Sequence, residues 1–148
     1  MFSAAIPLSE RAYEAIVLRL LEKCEKIVRT TAVVYHYRCR PDSITTVDFH
    51  AKKLVWVRHC RDNLRYIEAK YPELVPYAAD RYHGSLLWAL RELSILGRGM
   101  DDAWYPLRRE LRSQISEIRQ KKRIRALLLA CFPRKWLNVL FTRQMNHK

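Results

Sequence analysis

Residue types that chemistry uses are scattered through this 148-residue chain in a few groupings. His36-x-x-Cys39 and His59-Cys60 offer nitrogen and sulfur donors for zinc. A structural zinc site draws spaced ligand pairs from both halves. Adjacent residues on a helix point about 100° apart, so His59 and Cys60 do not close a tetrahedron. A core cysteine beside a surface histidine is the simpler reading. A Cys–His nucleophile pair needs a thiol of depressed pKa and a base about 3 Å away, and no spacing here supplies one. Asp101-Asp102 looks like an acidic metal-binding pair, but it stands directly before a helical pattern, where the macrodipole favours carboxylates. The three glycines, Gly84, Gly97 and Gly99, exclude a Gly-rich phosphate loop of either common type.

Two other groupings are basic. Arg38, Arg40 and Ser43 follow a β-like run, and arginines at a strand exit can hold phosphates or carboxylates bidentately. Physics alone favours their merely solvating the strand end. Farther on, RQKKRIR at 119–125 is followed by ALLLACF and then Arg134, Lys135 and Trp136. The run fits a solvated charged helix. It also fits a helix lying on an anionic membrane, with Lys121, Lys122, Arg123, Arg125, Arg134 and Lys135 facing headgroups while Trp136, Leu137, Leu140 and Phe141 dip in. Nucleic acid is disfavoured, because bulky apolar residues interrupt the basic clusters and no nucleic-acid-binding signature occurs.

The elements that must carry these residues are mainly helical. Ser9 to about Val28 repeats Ala12, Ile16, Leu20 and Cys24 along one face, with Ser9 as N-cap. Residues 30–38 are β-branched and aromatic and read as a short strand. A lone strand is unstable, so its partners come from elsewhere in the chain, from a second copy in a homodimer, or from another chain. Thr46 to Tyr71 forms a helix capped by Thr46 or Asp48, with Phe49, Val57, Cys60, Leu64, Ile67 and Tyr71 near one face, and Pro72 ends it. Glu73 to about Leu96 forms the next, with Pro76 in its first turn and Gly97 at its end. These two make a long antiparallel hairpin around Pro72, with Trp56, Trp88 and Trp104 packed in it. Asp101 or Asp102 caps a helix through Trp104, Leu107, Leu111, Ile115 and Ile118 that runs on into KKRIRALLLACF. After Pro133 a last amphipathic helix follows.

Hydrophobic residues make up 49% of the chain, enough for a core. Net charge is +13 and rises along the chain: +1 over 1–50, +4 over 51–100 and +8 over 101–148. The four cysteines and the lack of a signal-peptide pattern predict buried free thiols in the cytoplasm. No apolar run is long enough for a membrane span, so membrane contact would be peripheral.

LLEKCEKIVRTTAVVYHYRCRPDSIT, residues 20–45, resembles the end of the catalytic region of bacterial family-2-type glycosyltransferases, the inverting enzymes of capsular and surface polysaccharide synthesis. In that family a helix ending LLxKCxKI is followed by a strand reading YYYRxRxxSIT. The matching residues are Leu20, Leu21, Lys23, Cys24, Lys26, Ile27, Tyr35, Tyr37, Arg38, Arg40, Ser43, Ile44 and Thr45, with His36 in place of a tyrosine. FHAKKL and KYPELVPYAADRYHGSLLWALREL look like the helical tail of such enzymes. The resemblance implies that residues 1–45 correspond to the end of a catalytic domain and 46–148 to a helical C-terminal region. It implies that Arg38, Arg40 and Ser43 contact the acceptor or the diphosphate. Full-length members use a nucleotide sugar and a divalent metal, held by a D-x-D motif, and an Asp base. This sequence has no D-x-D, and Arg11, or Ala12 and Tyr13, stand where that Asp belongs, with Glu10 and Glu14 nearby. The expectation is a mainly α chain that is no catalyst by itself and needs no cofactor of its own. It is then a fragment or split subunit with a complementing glycosyltransferase chain, or a non-enzymatic module on a membrane or partner protein.

Overall fold

The structure, a computed structural model, describes residues 12–28, 31–32, 49, 51–97 and 99–145. The chain divides into two compact units, 1–48 and 49–148. Among the described residues every regular element is helical.

The first unit contributes α1 (Ala12–Leu21). The helix ends earlier than the expected Val28. The amides of Lys23 and Cys24 donate to the carbonyls of Leu20 and Leu21, tightening the last turn, and Cys24 Sγ donates to Leu20 O. Leu20 and Cys24, expected on an inner face, are exposed, and the described part of this unit holds no second element to cover them. The expected strand at 30–38 lies, apart from residues 31 and 32, outside the described residues.

The second unit is built on one central helix. A single 3-10 turn (Ala51–Leu54) leads into α2 (Val55–Lys70). The helix therefore starts later than the expected Thr46, and the proposed caps Thr46 and Asp48 lie outside the described residues. Tyr71, extended because a residue before proline avoids the α region, ends it. A second 3-10 turn (Pro72–Leu74) reverses the chain into α3 (Val75–Leu96), with Pro76 in the first turn, where its missing N–H costs nothing. Gly97 ends α3 at φ +70°, a backbone that side chains rarely adopt.

α3 is buried nearly all round: Tyr82, His83, Ser85, Leu86, Leu87, Ala89, Leu90, Leu93 and Ser94. A helix so buried is a spine with neighbours on several sides. Ser85 and Ser94 satisfy their buried hydroxyls by donating to Tyr82 O and Leu90 O of their own helix. On one side α2 supplies Val57 and Cys60 against Tyr82, Leu86 and Ala89. Trp56 and Trp88 meet edge to face there at 5.0 Å, both half-buried.

On the other side lies the larger core. α4 (Asp101–Ser113) contributes Trp104 and Leu111; α5 (Gln120–Cys131) contributes Ala126, Leu129 and Ala130; α6 (Arg134–Met145) contributes Leu137 and Phe141. Each large apolar side chain buried here is worth roughly 1.5–3 kcal/mol of transfer free energy. Trp104 thus sits on α4 in this larger core rather than inside the hairpin. The expected continuous helix from α4 into α5 is broken at 114–119. Gln114 and Glu117 close turns, Ile118 drops into the core and Arg119 is extended, so that α5 can double back onto α3 and α4. Met100, not an aspartate, is the N-cap of α4; Asp101 and Asp102 occupy its first turn.

Candidate functional site

α5 and α6 are basic helices with two unlike sides. On α5 the helical period sets Lys122 on the face of Ala126, Leu129 and Ala130, which is the core face. Its ammonium donates to Asp80 O at 2.9 Å and lies 2.9 Å from Asp80 Oδ2. On α6 Arg134 shares the face of Leu137 and Phe141. It donates through Nε and Nη2 to Leu93 O at 3.2 and 2.8 Å and through Nη1 to Asp101. Its guanidinium sits 5.2 Å from the centre of the Trp104 ring. Two expected membrane contacts, Lys122 and Arg134, are therefore structural. Leu137 and Phe141, expected to dip into lipid, are core residues, Leu137 only 1% exposed.

The outer side carries the other expected residues. Lys121, Arg123, Arg125 and Lys135 are exposed and make no ion pair among the described residues. Between and beside them stand exposed apolar side chains: Ile124 at 75% and Leu127 on α5, Phe132 at the corner, and Trp136 at 62%, Val139 and Leu140 on α6. After Glu117 the sequence holds nine lysines and arginines and no aspartate or glutamate.

The remaining polar groups are spent on holding helices together. Arg61 of α2 donates to Glu110 of α4 at 2.5 Å and to the Tyr82 hydroxyl of α3 at 3.3 Å, while Tyr82 donates to Glu110. Burial, and then the Glu110 hydrogen bond, push the Tyr82 phenol up to about 12. Arg108 and Arg112 donate to Ala130 O, and Arg108 also to Phe132 O, closing the C-terminal end of α5. Burial and then the neighbouring Arg112 lower the Arg108 pKa. Asn138 donates to Ser94 O and Ile95 O, doing the same for α3. Burial lowers the pKa of His83, opposed by Glu117, Gln114 and Asp80. These residues were missed in the sequence, because Arg61, Tyr82 and Glu110 are 21 to 49 residues apart and no local spacing encodes them.

Arg38, Arg40, Ser43, His36 and Cys39 lie outside the described residues. Cys60 is buried against α3, and His59 beside it is half-buried. Cys24 and Cys131 are exposed rather than buried as expected, because each sits off the apolar face of its helix or past its end. Among the described residues no group of three His, Cys, Asp or Glu side chains could hold a metal ion, and no helix is long and apolar enough to cross a membrane. No family model, curated protein or solved structure matches the chain.

Proposed function

We propose that this chain is the C-terminal piece, or a split subunit, of a glycosyltransferase-like protein of surface-polysaccharide synthesis, and that it does not catalyse transfer alone. The observation that carries the reading is the run from Leu20 to Thr45, with its KCxKI-like stretch just after α1, paired tyrosines and R-x-R-x-x-S-I-T exit. KYPELVPYAADRYHGSLLWALREL, the longer of the two tail-like stretches, is helical as the reading expects, carrying the Pro72 turn and most of α3, and Ala51–Leu54 of FHAKKL form the 3-10 turn that leads into α2. Inversion at a sugar carbon needs a positioned base and a stabilised diphosphate leaving group. The sequence has no D-x-D motif. On this reading a complementing chain would hold the donor site, and Arg38, Arg40 and Ser43 would reach the acceptor or diphosphate held there.

Titration calorimetry with UDP-sugars at millimolar concentration tests the negative half: no heat is expected from the chain alone, and saturable heat would sink the proposal. The positive half is tested by mixing the chain with a nucleotide-sugar-binding domain that lacks its own KCxKI-type helix and tail. A stable one-to-one complex with restored transfer is expected, lost in Arg38→Ala/Arg40→Ala; failure of such domains to bind would overturn it.

A further inference from the structure

We infer that the outer side of α5 and α6 docks on an anionic lipid bilayer, with Trp136, Val139, Leu140, Ile124 and Leu127 entering the headgroup boundary and Lys121, Arg123, Arg125 and Lys135 pairing with lipid phosphates and carboxylates. The inference stands whether or not the chain belongs with a glycosyltransferase. A surface helix of a water-soluble protein normally turns charged and polar residues outward. Here the inner sides of α5 and α6 already supply the core with Ala126, Leu129, Ala130, Leu137 and Phe141, and the outer sides carry large apolar side chains among their cations as well. Ile124 and Leu127 lie one turn apart on α5, Trp136, Val139 and Leu140 lie within about one turn on α6, and exposed Phe132 stands at the corner between them, so the apolar side chains are clustered along the chain rather than scattered singly.

Charge complementarity names the occupant. The basic residues that the fold needs, Lys122 and Arg134, are neutralised from within by Asp80 and Asp101. The outward ones have no carboxylate partner among the described residues, and the sequence provides none after Glu117. Cations left unpaired in a stretch free of acid, interleaved with a tryptophan and branched aliphatic side chains, match a surface that is negative outside and apolar just beneath. A phosphate groove of nucleic acid would reward the cations but leave Trp136 and Ile124 in water. Trp136 is suited to the boundary, since its ring is largely apolar and its indole N–H can reach a headgroup.

The test uses the full chain and vesicles of phosphatidylcholine with and without about 30% phosphatidylserine, at about 0.1 M and about 0.5 M salt. Cosedimentation is expected with the anionic vesicles only and to fall at high salt. Arg123→Glu/Arg125→Glu is expected to weaken it by about tenfold or more. Arg58→Glu/Arg65→Glu, the same charge change placed on exposed positions of α2, is expected to weaken it far less. Brominated lipid should quench tryptophan emission in the parent and not in Trp136→Phe, because Trp104 is buried and Trp56 and Trp88 are half-buried. Each of four results overturns the inference: equal binding to neutral vesicles, equal loss from the two charge reversals, quenching that survives Trp136→Phe, or salt-sensitive binding to duplex DNA without vesicle binding.

Discussion

The inner and outer sides of α5 and α6 are made from the same residue types, yet they do opposite things. Lys122 and Arg134 turn inward, with 35% and 13% of their side chains left exposed, and hold carbonyls of α3. Lys121 and Lys135, one residue away from each, stand in solvent. Leu137 is enclosed and Leu140 is not. A rotation of about 100° per residue decides which cation is structural and which is free to bind. Composition and charge count cannot separate the two roles; only the phase of the helix against its core can.

The largest effect should come from breaking the apolar half of that contrast. Leu137→Ala removes a side chain enclosed among the α3, α4 and α5 core residues and should cost about 2–5 kcal/mol. Leu140→Ala, on the other side of the same helix, should cost under about 1 kcal/mol. Urea unfolding followed by circular dichroism reads both. Similar losses would mean that the outer side is also packed in solution.

Next is the basic half. Arg134→Leu strands the Leu93 carbonyl and removes the cation over Trp104, for about 2–4 kcal/mol in the same unfolding measurement. Lys135→Leu should stay within about 0.5 kcal/mol. If the order were reversed, the hydrogen bonds of Arg134 would not exist in solution.

How much of this was legible beforehand follows from where the information sits. Pro72, Gly97 and Pro133 punctuate the helices through their own backbone rules, so the hairpin and the start of α6 were readable from single residues. The break between α4 and α5 was not, because no glycine or proline lies at 113–120. It is imposed by Ile118 entering the core and α5 folding back. The phase of α5 was equally hidden: ALLLACF is apolar on every side, so nothing in it says whether Leu127 or Leu129 faces inward. The resemblance across 20–45 rests on residues that mostly lie outside the described structure, and it bears on function rather than on these helices.

A third prediction concerns the far end of the same spine. The Tyr82 phenol, raised from 10.0 to about 12 by burial and by Glu110, keeps its proton in the folded chain when an unfolded tyrosine would lose it. The stabilisation is complete below pH 10 and is lost as pH rises through about 12. Unfolding free energy should therefore drop by about 2–3 kcal/mol over that window. Absorbance at about 295 nm should show one tyrosine ionising after the rest. Glu110→Gln should bring that step to lower pH, while Lys121→Ala or Arg125→Ala on the outer side should leave it in place.

The smallest effect separates the two sides by acid. Burial lowers the His83 pKa below its ordinary 6.5, so the folded chain takes up its proton later than the unfolded chain as pH falls. Stability contributed by the neutral ring is full above that ordinary value and declines as pH falls from it toward the folded one. The decline is modest, because Glu117, Gln114 and Asp80 oppose the burial while Lys122 adds to it. Thermal unfolding between about pH 7.5 and 5 should show a slope in the parent that His83→Leu flattens. Vesicle binding runs through the outer side, away from His83, so it should lack this dependence. Acid would then loosen the inner side of α5 and leave vesicle binding by the outer one in place. If His83→Leu left the slope unchanged, the histidine would be water-exposed in solution, and the inner packing of α5 on α3 would have to be redrawn.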